Sequence, residues 1–258
     1  MPLAMKDVLG TYDRISLEEM KDVRLMNRID TKYVTTVPVL IEILKRAKPN
    51  YYAQFIDGEC MMPYYTLYYD TEDTDMYIQH LRGRKRRQKI RIRKYEATNI
   101  SFLEVKNKNN KGRTKKKRTE YLTPNEEVFT AFITEHGNYP VDALSQMIEN
   151  RFTRLTLVNK NKTERLTIDT NLRFHNLVTQ QTCRLDDLVI IELKRDGNTH
   201  SPILEVLREL RVQPAKFSKY CMGMAITNPK LKNNRFKPRL RYVEKLCNIN
   251  RNIKFNTE

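Results

Sequence analysis

The sequence predicts an α+β fold in which strands with one charged and one aliphatic face are accompanied by amphipathic helices. Three segments, residues 88–95, 101–106 and 188–194, alternate charged and aliphatic side chains at the two-residue period of a strand. On one face these segments carry Arg91 and Arg93, then Glu104 and Lys106, then Glu192 and Lys194. An ordinary half-buried sheet would carry more varied polar chemistry on its outer face.

The length and composition predict one folded domain. The chain has 258 residues, of which 40% are hydrophobic, and this is enough to build a sizeable core. No stretch approaches the roughly 18 consecutive apolar residues of a membrane helix, and the N-terminus does not resemble a signal peptide. We expect residues 1–258 to form a single soluble domain in the cytoplasm.

Several classes of site are excluded by residue spacing. The seven glycines are too scattered for a Walker A or dinucleotide loop, so side chains must make any phosphate contacts. The four cysteines show no C-x-x-C spacing, which excludes a zinc knuckle and a dense disulfide framework. The four histidines are isolated and none is expected to be catalytic.

Positive charge is concentrated in one part of the chain. The formal net charge is +17, and the segment from Arg82 to Arg118 alone holds 17 Lys and Arg residues against two acidic ones. Such a run is typical of a solvated face or a nucleic-acid footprint. If the charged faces close inward, they instead form a cationic bore whose charges require a polyanion and a metal ion. The sequence pattern alone does not decide whether the charged faces point outward to solvent or inward into a bore.

Local signals place the helices. Ser16 and Glu19 form a capping-box pattern, Pro38 occupies a first helical turn, and Ser201 precedes Pro202 as a further cap. The segment from about residue 228 is rich in Pro, Asn, Lys and Arg, and we expect a frayed basic tail there. The predicted helices are about 16–28, 37–47, 124–136, 141–149, 201–210 and 217–226.

Alternation and turn residues place the strands. Residues 107–112 form a turn rich in Asn and Lys between two strands, and residues 159–162 form a second turn. In the first strand Arg28, Asp30 and Lys32 share one face because they are two residues apart. The predicted strands are 28–34, 64–69, 86–95, 100–107, 113–121, 152–158, 164–169 and 187–194.

Several short motifs follow one another in an order that resembles a known family. They are Arg28–Tyr33, Tyr65–Thr71, Lys89–Tyr95, Phe102–Lys106, the basic run 115–118, Asn150–Arg154, Glu164–Thr170, Ile191–Lys194 and Pro214–Tyr220. This succession resembles the polyphosphate polymerase domain of the vacuolar transporter chaperone type, within the triphosphate tunnel metalloenzymes. Each motif is weakly specific alone, whereas their order is specific.

The resemblance implies an eight-stranded antiparallel β-barrel tunnel surrounded by helices, whose inner wall binds triphosphate. The catalytic residues that it implies are Lys32, Arg91, Arg93, Lys106, Arg154, Arg165 and Lys219. The further phosphate-binding residues are Lys116, Arg118, Lys194, Lys216 and Ser218, with Lys115 and Lys117 expected on the outer face. Glu192 is expected to hold a divalent metal ion, Mn²⁺ or Mg²⁺, and Glu104 is a second candidate ligand. Asp70 and Asp169 have a simpler interpretation as turn caps.

The implied activity is transfer of the γ-phosphate of ATP to a growing polyphosphate chain. Many members of the superfamily begin with Glu-x-Glu-x-Lys, whereas this chain has Arg28, Asp30 and Lys32, which trades metal affinity for phosphate affinity. That difference favours the polymerase over two alternatives. One is a tunnel-type hydrolase of tripolyphosphate or of nucleoside or RNA triphosphates, and the other is a non-catalytic module that binds polyphosphate or nucleic acid. We expect ATP and polyphosphate as partners rather than nucleic acid, and any coupling to membrane transport would require a separate partner.

Overall fold

The computed structural model describes residues 2–23, 28–110 and 113–247, which contain eleven strands and seven α-helices. The strands are β1 (Arg14–Ile15), β2 (Arg28–Thr36), β3 (Tyr51–Gln54), β4 (Met62–Asp70), β5 (Arg87–Tyr95), β6 (Ile100–Lys108), β7 (Thr114–Glu120), β8 (Ser145–Asn159), β9 (Glu164–Asn176), β10 (Thr182–Leu185) and β11 (Leu188–Asp196). The helices are α1 (Leu3–Gly10), α2 (Val37–Ala47), α3 (Asp75–Leu81), α4 (Glu126–His136), α5 (Pro202–Glu209), α6 (Lys219–Thr227) and α7 (Lys237–Leu246).

Eight strands form one continuous antiparallel sheet in the order β2-β11-β9-β8-β4-β5-β6-β7. This confirms the predicted α+β class and the eight antiparallel strands. The three remaining strands lie beside this path: β3 pairs with β8 and β1, and β10 pairs with β9. Within the described ranges the end strands β2 and β7 do not pair, so the sheet is a half-barrel that is open along that seam.

The sheet is strongly curled into a half-barrel. Ser218 and Lys219, which are adjacent at the start of α6, contact Lys89 on β5 and Asp169 on β9. Three strand spacings separate β9 from β5, which is about 14 Å in a flat sheet. We call the inner surface, on which these side chains lie, the concave face.

The aliphatic faces of the strands pack outward against helices. Helices α1, α2 and α5 cover β2, β9 and β11 through side chains such as Leu44, Ile168 and Ile191. Helix α4 covers β5 and β6 in the same way, where Ile90 and Leu103 are fully buried. The outward packing of these residues leaves the charged positions of the same strands on the concave face.

Helices α6 and α7 pack against one end of the concave face. Val34 lies two residues after Lys32 on β2, and Ile190 lies two residues before Glu192 on β11. Both belong to a hydrophobic cluster that also contains Tyr220 and Leu240. Helix α6 approaches the sheet very closely at Gly223, where an added Cβ would lie 2.5 Å from the ring of Phe174. Only glycine therefore fits at this position.

Three predictions of secondary structure are wrong. The helix expected at about 16–28 is a 3₁₀ turn at Glu19–Asp22, and residues 24–27 lie outside the described residues. The helix expected at 141–149 is a 3₁₀ turn at Val141–Ala143 followed by β8, because Met147 and Ile148 bury their side chains in the sheet.

The frayed tail expected from about residue 228 is also wrong for the part that the structure describes. Residues Asn234–Phe236 form a 3₁₀ turn that leads into α7. Phe236, Leu240 and Val243 are buried against the end of the sheet, and this burial stabilises the helix. Residues 248–258 lie outside the described residues.

Candidate active site

A row of three lysines crosses the concave face on adjacent strands. The strand register places Lys89 directly opposite Lys106, and Lys106 directly opposite Lys116. Residues opposite each other in antiparallel strands share a face, and like charges at such positions repel. The charge of Arg91, together with burial, lowers the pKa of Lys106 to about 5. Lys106 is therefore mostly neutral near pH 7 in the ligand-free protein, and a bound anion would favour its protonated, charged form.

A buried ion pair lies beside this row. Arg91 donates hydrogen bonds from Nε (2.7 Å) and Nη2 (2.5 Å) to Oε2 of Glu104, and Lys116 lies 3.3 Å from Oε1. Burial opposes ionisation of Glu104, but Arg91 and Arg93 outweigh it and lower its pKa to about 2. Glu104 is therefore an ionised carboxylate whose two oxygens are both engaged by cations. Arg118 lies opposite Glu104 on β7 and stacks on Phe102, 4.5 Å from the ring centroid.

A second buried carboxylate holds two cations from different elements. Arg154 on β8 donates from Nε (2.6 Å) and Nη2 (2.8 Å) to the two oxygens of Asp169 on β9, and Lys219 of α6 contacts the same carboxylate. Arg154 and Lys219 lower the pKa of Asp169 despite its burial. Burial lowers the pKa of Lys219 to about 8. Asp169 is thus not a turn cap, whereas Asp70 is one, because it accepts backbone N–H groups from Thr71, Met76 and Tyr77.

The third carboxylate is the most accessible of the three. Glu192 on β11 lies 3.2 Å from Lys32 through Oε1 and contacts Lys194 through Oε2, and its side chain is 20% exposed. These two lysines outweigh the effect of burial and lower the pKa of Glu192. Arg165 lies directly opposite Lys194, and its buried Nε has no hydrogen-bond partner. This buried N–H group therefore has an unsatisfied hydrogen bond in the ligand-free protein.

A pair of stacked aromatic rings supports several of the cations. The rings of Tyr64 and Phe152 lie 5.2 Å apart and nearly parallel. Lys219 lies 4.1 Å from the centroid of Phe152, and Arg154 lies 5.0 Å from that of Tyr64. Arg93 lies 5.8 Å from the Tyr64 centroid, and burial together with Arg91 lowers its pKa to about 10. Cation–π contacts orient these groups without neutralising them.

Ser218 connects helix α6 to the lysine row. Its Oγ accepts a hydrogen bond from Lys89 Nζ (2.8 Å) and another from the backbone N–H of Cys221 (3.3 Å), so Ser218 is the N-cap of α6. Lys216 is exposed. Burial lowers the pKa of Lys108 on β6, and the charges of Arg87 and Lys216 lower it further. Lys216 therefore lies at the edge of the site rather than among the buried cations.

Sequence reasoning placed most of the site residues on one surface but missed five that shape it: Lys89, Asp169, Tyr64, Tyr68 and Phe152. Lys89 could have been found, because it is two residues before Arg91 and shares its face. The contacts of Tyr64 with Phe152 and of Asp169 with Arg154 could not have been found, because each contact depends on which strands are neighbours in the sheet.

The described residues contain no group of three or more metal-ligating His, Cys, Asp or Glu side chains. Glu104 does not fit a metal site because its side chain is only 1% exposed and Arg91 holds it in a buried ion pair. Glu192 fits better because it is 20% exposed and offers the hard oxygen that Mg²⁺ or Mn²⁺ prefers, but Lys32 and Lys194 contact its two oxygens and a bound ion would have to displace one of them. In phosphoryl-transfer sites such ions take one or two carboxylates and complete their ligands with substrate phosphates and water.

The described residues thus form a curled antiparallel sheet whose concave face carries many cations and few carboxylates. The family model of the VTC domain matches residues 27–228. The chain therefore belongs to the VTC domain family, and the resemblance found in the sequence is confirmed.

Two solved structures align with this chain over most of its length. HpAC1 from Hippeastrum, a putative adenylyl cyclase described as having a dominant triphosphatase activity, aligns over 78% of this chain and 96% of its own, with 16% identity and a TM-score of 0.48. The PH1819 protein from Pyrococcus horikoshii OT3 aligns over 77% of this chain and 98% of its own, with 14% identity and a TM-score of 0.42. The family assignment depends on the sequence match and not on these low scores.

Among curated proteins, no sequence matches this chain significantly. Over the described ranges, none of the helices is both long enough and apolar enough to cross a membrane.

Proposed function

We propose that this protein is a polyphosphate polymerase that transfers the γ-phosphoryl group of ATP to the end of a polyphosphate chain and releases ADP. The observation that carries the proposal is the row of Lys89, Lys106 and Lys116, which the strand register places side by side on the concave face. A single phosphate would engage only part of such a row. A linear chain of phosphates would engage all of it.

The side chains supply positioning and charge neutralisation. Arg91, Arg93, Arg154 and Arg165 carry planar forks that can each bind two phosphate oxygens, while the lysines act as compact charges. In the transfer, a terminal oxygen of the acceptor chain forms a bond to the γ-phosphorus as the bond between that phosphorus and the β–γ bridging oxygen breaks. The electron pair of the broken bond stays on ADP. Because the acceptor phosphate is already ionised near neutral pH, the step requires no general base, which agrees with a concave face without a histidine among the residues described here.

Glu192 would hold the divalent ion, which when bound would neutralise charge on the phosphate oxygens. Lys32 and Lys194 flank this carboxylate and would bind the phosphates that approach it. Asp169 keeps Arg154 and Lys219 in place at the neighbouring strands. The three carboxylates thus have separate roles, one as a metal ligand and two in holding cations.

The proposal is tested by incubating the protein with ATP, with and without Mn²⁺ or Mg²⁺, and separating the products on a gel. We expect a ladder of polyphosphate and one ADP for each phosphate incorporated. Release of orthophosphate alone would instead support the hydrolase alternative. Binding of polyphosphate without any turnover would support the non-catalytic module.

A pair of variants on one strand provides a matched control. Lys89→Met removes a cation from the concave face, and Lys94→Met removes one from the opposite face of the same strand β5. We expect chain synthesis to fall about 100-fold in the first variant, which is the usual cost of losing one preorganised electrostatic contact. The second variant should synthesise at the normal rate. Equal losses in both variants would contradict a role for the concave face.

A further inference from the structure

A second cationic surface lies outside the concave face, in the loop between α3 and β5. Arg82, Arg84 and Lys85 of this loop, with Gly83 and with Arg235 from the turn before α7, line a pocket of about 490 Å³. We call the four cations the loop cluster, and all of them are exposed. Among the described residues no carboxylate lines this pocket.

The loop backbone is fixed by hydrogen bonds to arginine side chains. Arg235 donates from Nη1 to the carbonyl oxygen of Arg82 (2.5 Å), and Arg87 donates from Nη1 to that of Arg84 (3.3 Å). Gly83 has a φ of +73°, and a Cβ added there would lie 3.7 Å from the Arg235 guanidinium. A larger residue at this turn would be strained in its backbone. The pocket is therefore a defined structure that joins the loop to the C-terminal segment.

The loop cluster continues the cationic line of the concave face. Arg87 begins β5 and lies two residues before Lys89, which places their Cα atoms about 7 Å apart on the same face. Arg87 is also directly opposite Lys108 on β6. Burial lowers the pKa of Arg87 and the charge of Arg239 lowers it further, so α7 adds positive charge at this same end. Arg87 therefore lies between the lysine row, two residues away on β5, and the loop cluster, where it bonds the Arg84 carbonyl.

The charges of the loop cluster are not balanced by protein carboxylates. Within the described part of the chain, none of its four cations takes part in an ion pair with Asp or Glu. The arginines that do form surface pairs, such as Arg46 and Arg184, lie elsewhere. Mutually repelling cations around an open pocket favour a ligand that carries several negative charges close together.

We propose that the loop cluster binds the segment of a polyphosphate chain that has emerged from the concave face. The choice of polyphosphate rests on the proposed function, whereas the binding of a phosphate chain rests on the pocket itself. The family match ends at residue 228, so Arg235 belongs to a segment of this chain beyond the matched region. In this proposal a long chain reaches from the concave face to the loop cluster, whereas a short chain bound in the concave face does not reach it.

The test compares two double variants of the full chain that each remove two exposed positive charges. Arg84→Ala/Lys85→Ala changes the loop cluster, and Lys45→Ala/Lys48→Ala changes residues at the C-terminal end of the outer helix α2 and just beyond it. Affinities for tripolyphosphate and for a polyphosphate of several tens of phosphates are measured over a range of salt concentrations. Equal thermal unfolding midpoints would show that all variants are folded.

We expect the loop-cluster variant to bind the long chain about tenfold more weakly and tripolyphosphate normally. The plot of log affinity against log salt concentration should become shallower by about 1.4, because each of the two lost contacts to a single-stranded polyanion contributes about 0.7 to the slope. The control variant should match the wild-type protein for both ligands. Arg235→Ala should weaken long-chain binding in the same direction as the loop-cluster variant.

Unchanged long-chain affinity in the loop-cluster variant would overturn the proposal. The choice of polyphosphate would be overturned if a single-stranded oligonucleotide of matched charge bound as tightly and lost as much affinity in that variant. Binding and synthesis separate the two proposals. A wild-type protein that makes no polyphosphate, but whose long-chain binding depends on the loop cluster, would refute the proposed function and support the site. A protein that makes polyphosphate and binds it equally well in both variants would refute the site alone.

Discussion

Asp169 accepts two parallel hydrogen bonds from the guanidinium of Arg154 on the neighbouring strand, at 2.6 and 2.8 Å. The two side chains are only 4% and 15% exposed. The same carboxylate contacts Lys219, which is brought by helix α6 from the other side. One acidic residue thus fixes the orientation of two cations of the concave face that come from separate elements.

Asp169→Asn should destabilise the protein strongly. The substitution preserves shape but leaves Arg154 buried without a charged partner, and breaking a buried pair in this way costs about 3–5 kcal/mol. The loss is measured as the change in the free energy of unfolding in urea. Glu205→Gln is the control, because Glu205 pairs with Arg208 on an exposed surface, where an ion pair contributes at most about 1 kcal/mol. If the two variants lose similar stability, Asp169 does not have the role described here.

Glu192→Gln should separate phosphate binding from turnover. The substitution removes a negative charge from between Lys32 and Lys194, so tripolyphosphate should bind more tightly in the absence of divalent ions. Synthesis with ATP and Mn²⁺ should nevertheless fall about 100-fold or more, because the accessible metal ligand is lost. Affinity is measured by calorimetry without metal, and turnover by ADP release.

The control for this prediction is Glu209→Gln, which removes a carboxylate from an exposed pair with Arg46 on the outer helices. Glu209→Gln should change neither the affinity for tripolyphosphate nor the rate of synthesis. Normal synthesis by Glu192→Gln would exclude Glu192 as the metal ligand.

The local part of the site could be predicted because strand periodicity is a local property. The two-residue alternation of 88–95 and 101–106 is enough to place Arg91, Arg93 and Glu104 on one face. Strand order is not local, and the contact of Arg154 with Asp169 depends on β8 and β9 being neighbours. A register shift between Arg151 and Thr153 also changes which side chains of β8 face inward, and no sequence signal marks it.

The errors in secondary structure have physical causes. Glu19 Oε2 does accept hydrogen bonds from Ser16, as the capping box predicts, but this local signal sets only where a turn begins and not how far it extends. Short apolar runs such as 141–149 fit either a helix or a buried strand, and packing of the sheet decides between them. In the C-terminal segment Phe236, Leu240 and Val243 have helical spacing, but the many surrounding charges obscure it.

Tyr68 should ionise at an unusually low pH. Burial opposes this, but Arg91, Arg93 and Lys89 outweigh it and lower the pKa of Tyr68 to about 8. Burial raises the pKa of other tyrosines of the sheet, such as Tyr64, so Tyr68 should titrate at a lower pH than they do. Tyrosinate absorbance should therefore show one group that titrates near pH 8 and disappears in Tyr68→Phe.

Tripolyphosphate should raise the pKa of Tyr68 towards its ordinary value, because bound phosphate neutralises the arginines that stabilise the tyrosinate. The unfolded chain retains this proton up to about pH 10, while the folded protein releases it near pH 8. The unfolded state therefore binds more protons between these values, and the free energy of unfolding should rise with pH there. The rise should be smaller in Tyr68→Phe, and an unaltered rise would contradict the assignment.

Ser218 caps α6 and is proposed to contact the ligand, and two substitutions should separate these roles. Ser218→Ala removes both the cap of α6 and the hydrogen bond from Lys89, so the protein should lose about 1 kcal/mol of unfolding free energy. Ser218→Asp keeps a good capping side chain but places a carboxylate against Lys89, where it competes with phosphate. It should unfold no more easily than the wild-type protein and yet bind tripolyphosphate more weakly.

Asn125→Asp is the matched control for the aspartate variant. Asn125 caps α4 through a hydrogen bond from the backbone N–H of Val128 (3.0 Å), on the outer surface of the half-barrel. Because this substitution adds the same charge at the same kind of helix terminus, it should preserve both stability and tripolyphosphate affinity. A loss of affinity in Asn125→Asp as large as in Ser218→Asp would mean that net charge, and not contact with Lys89, determines binding.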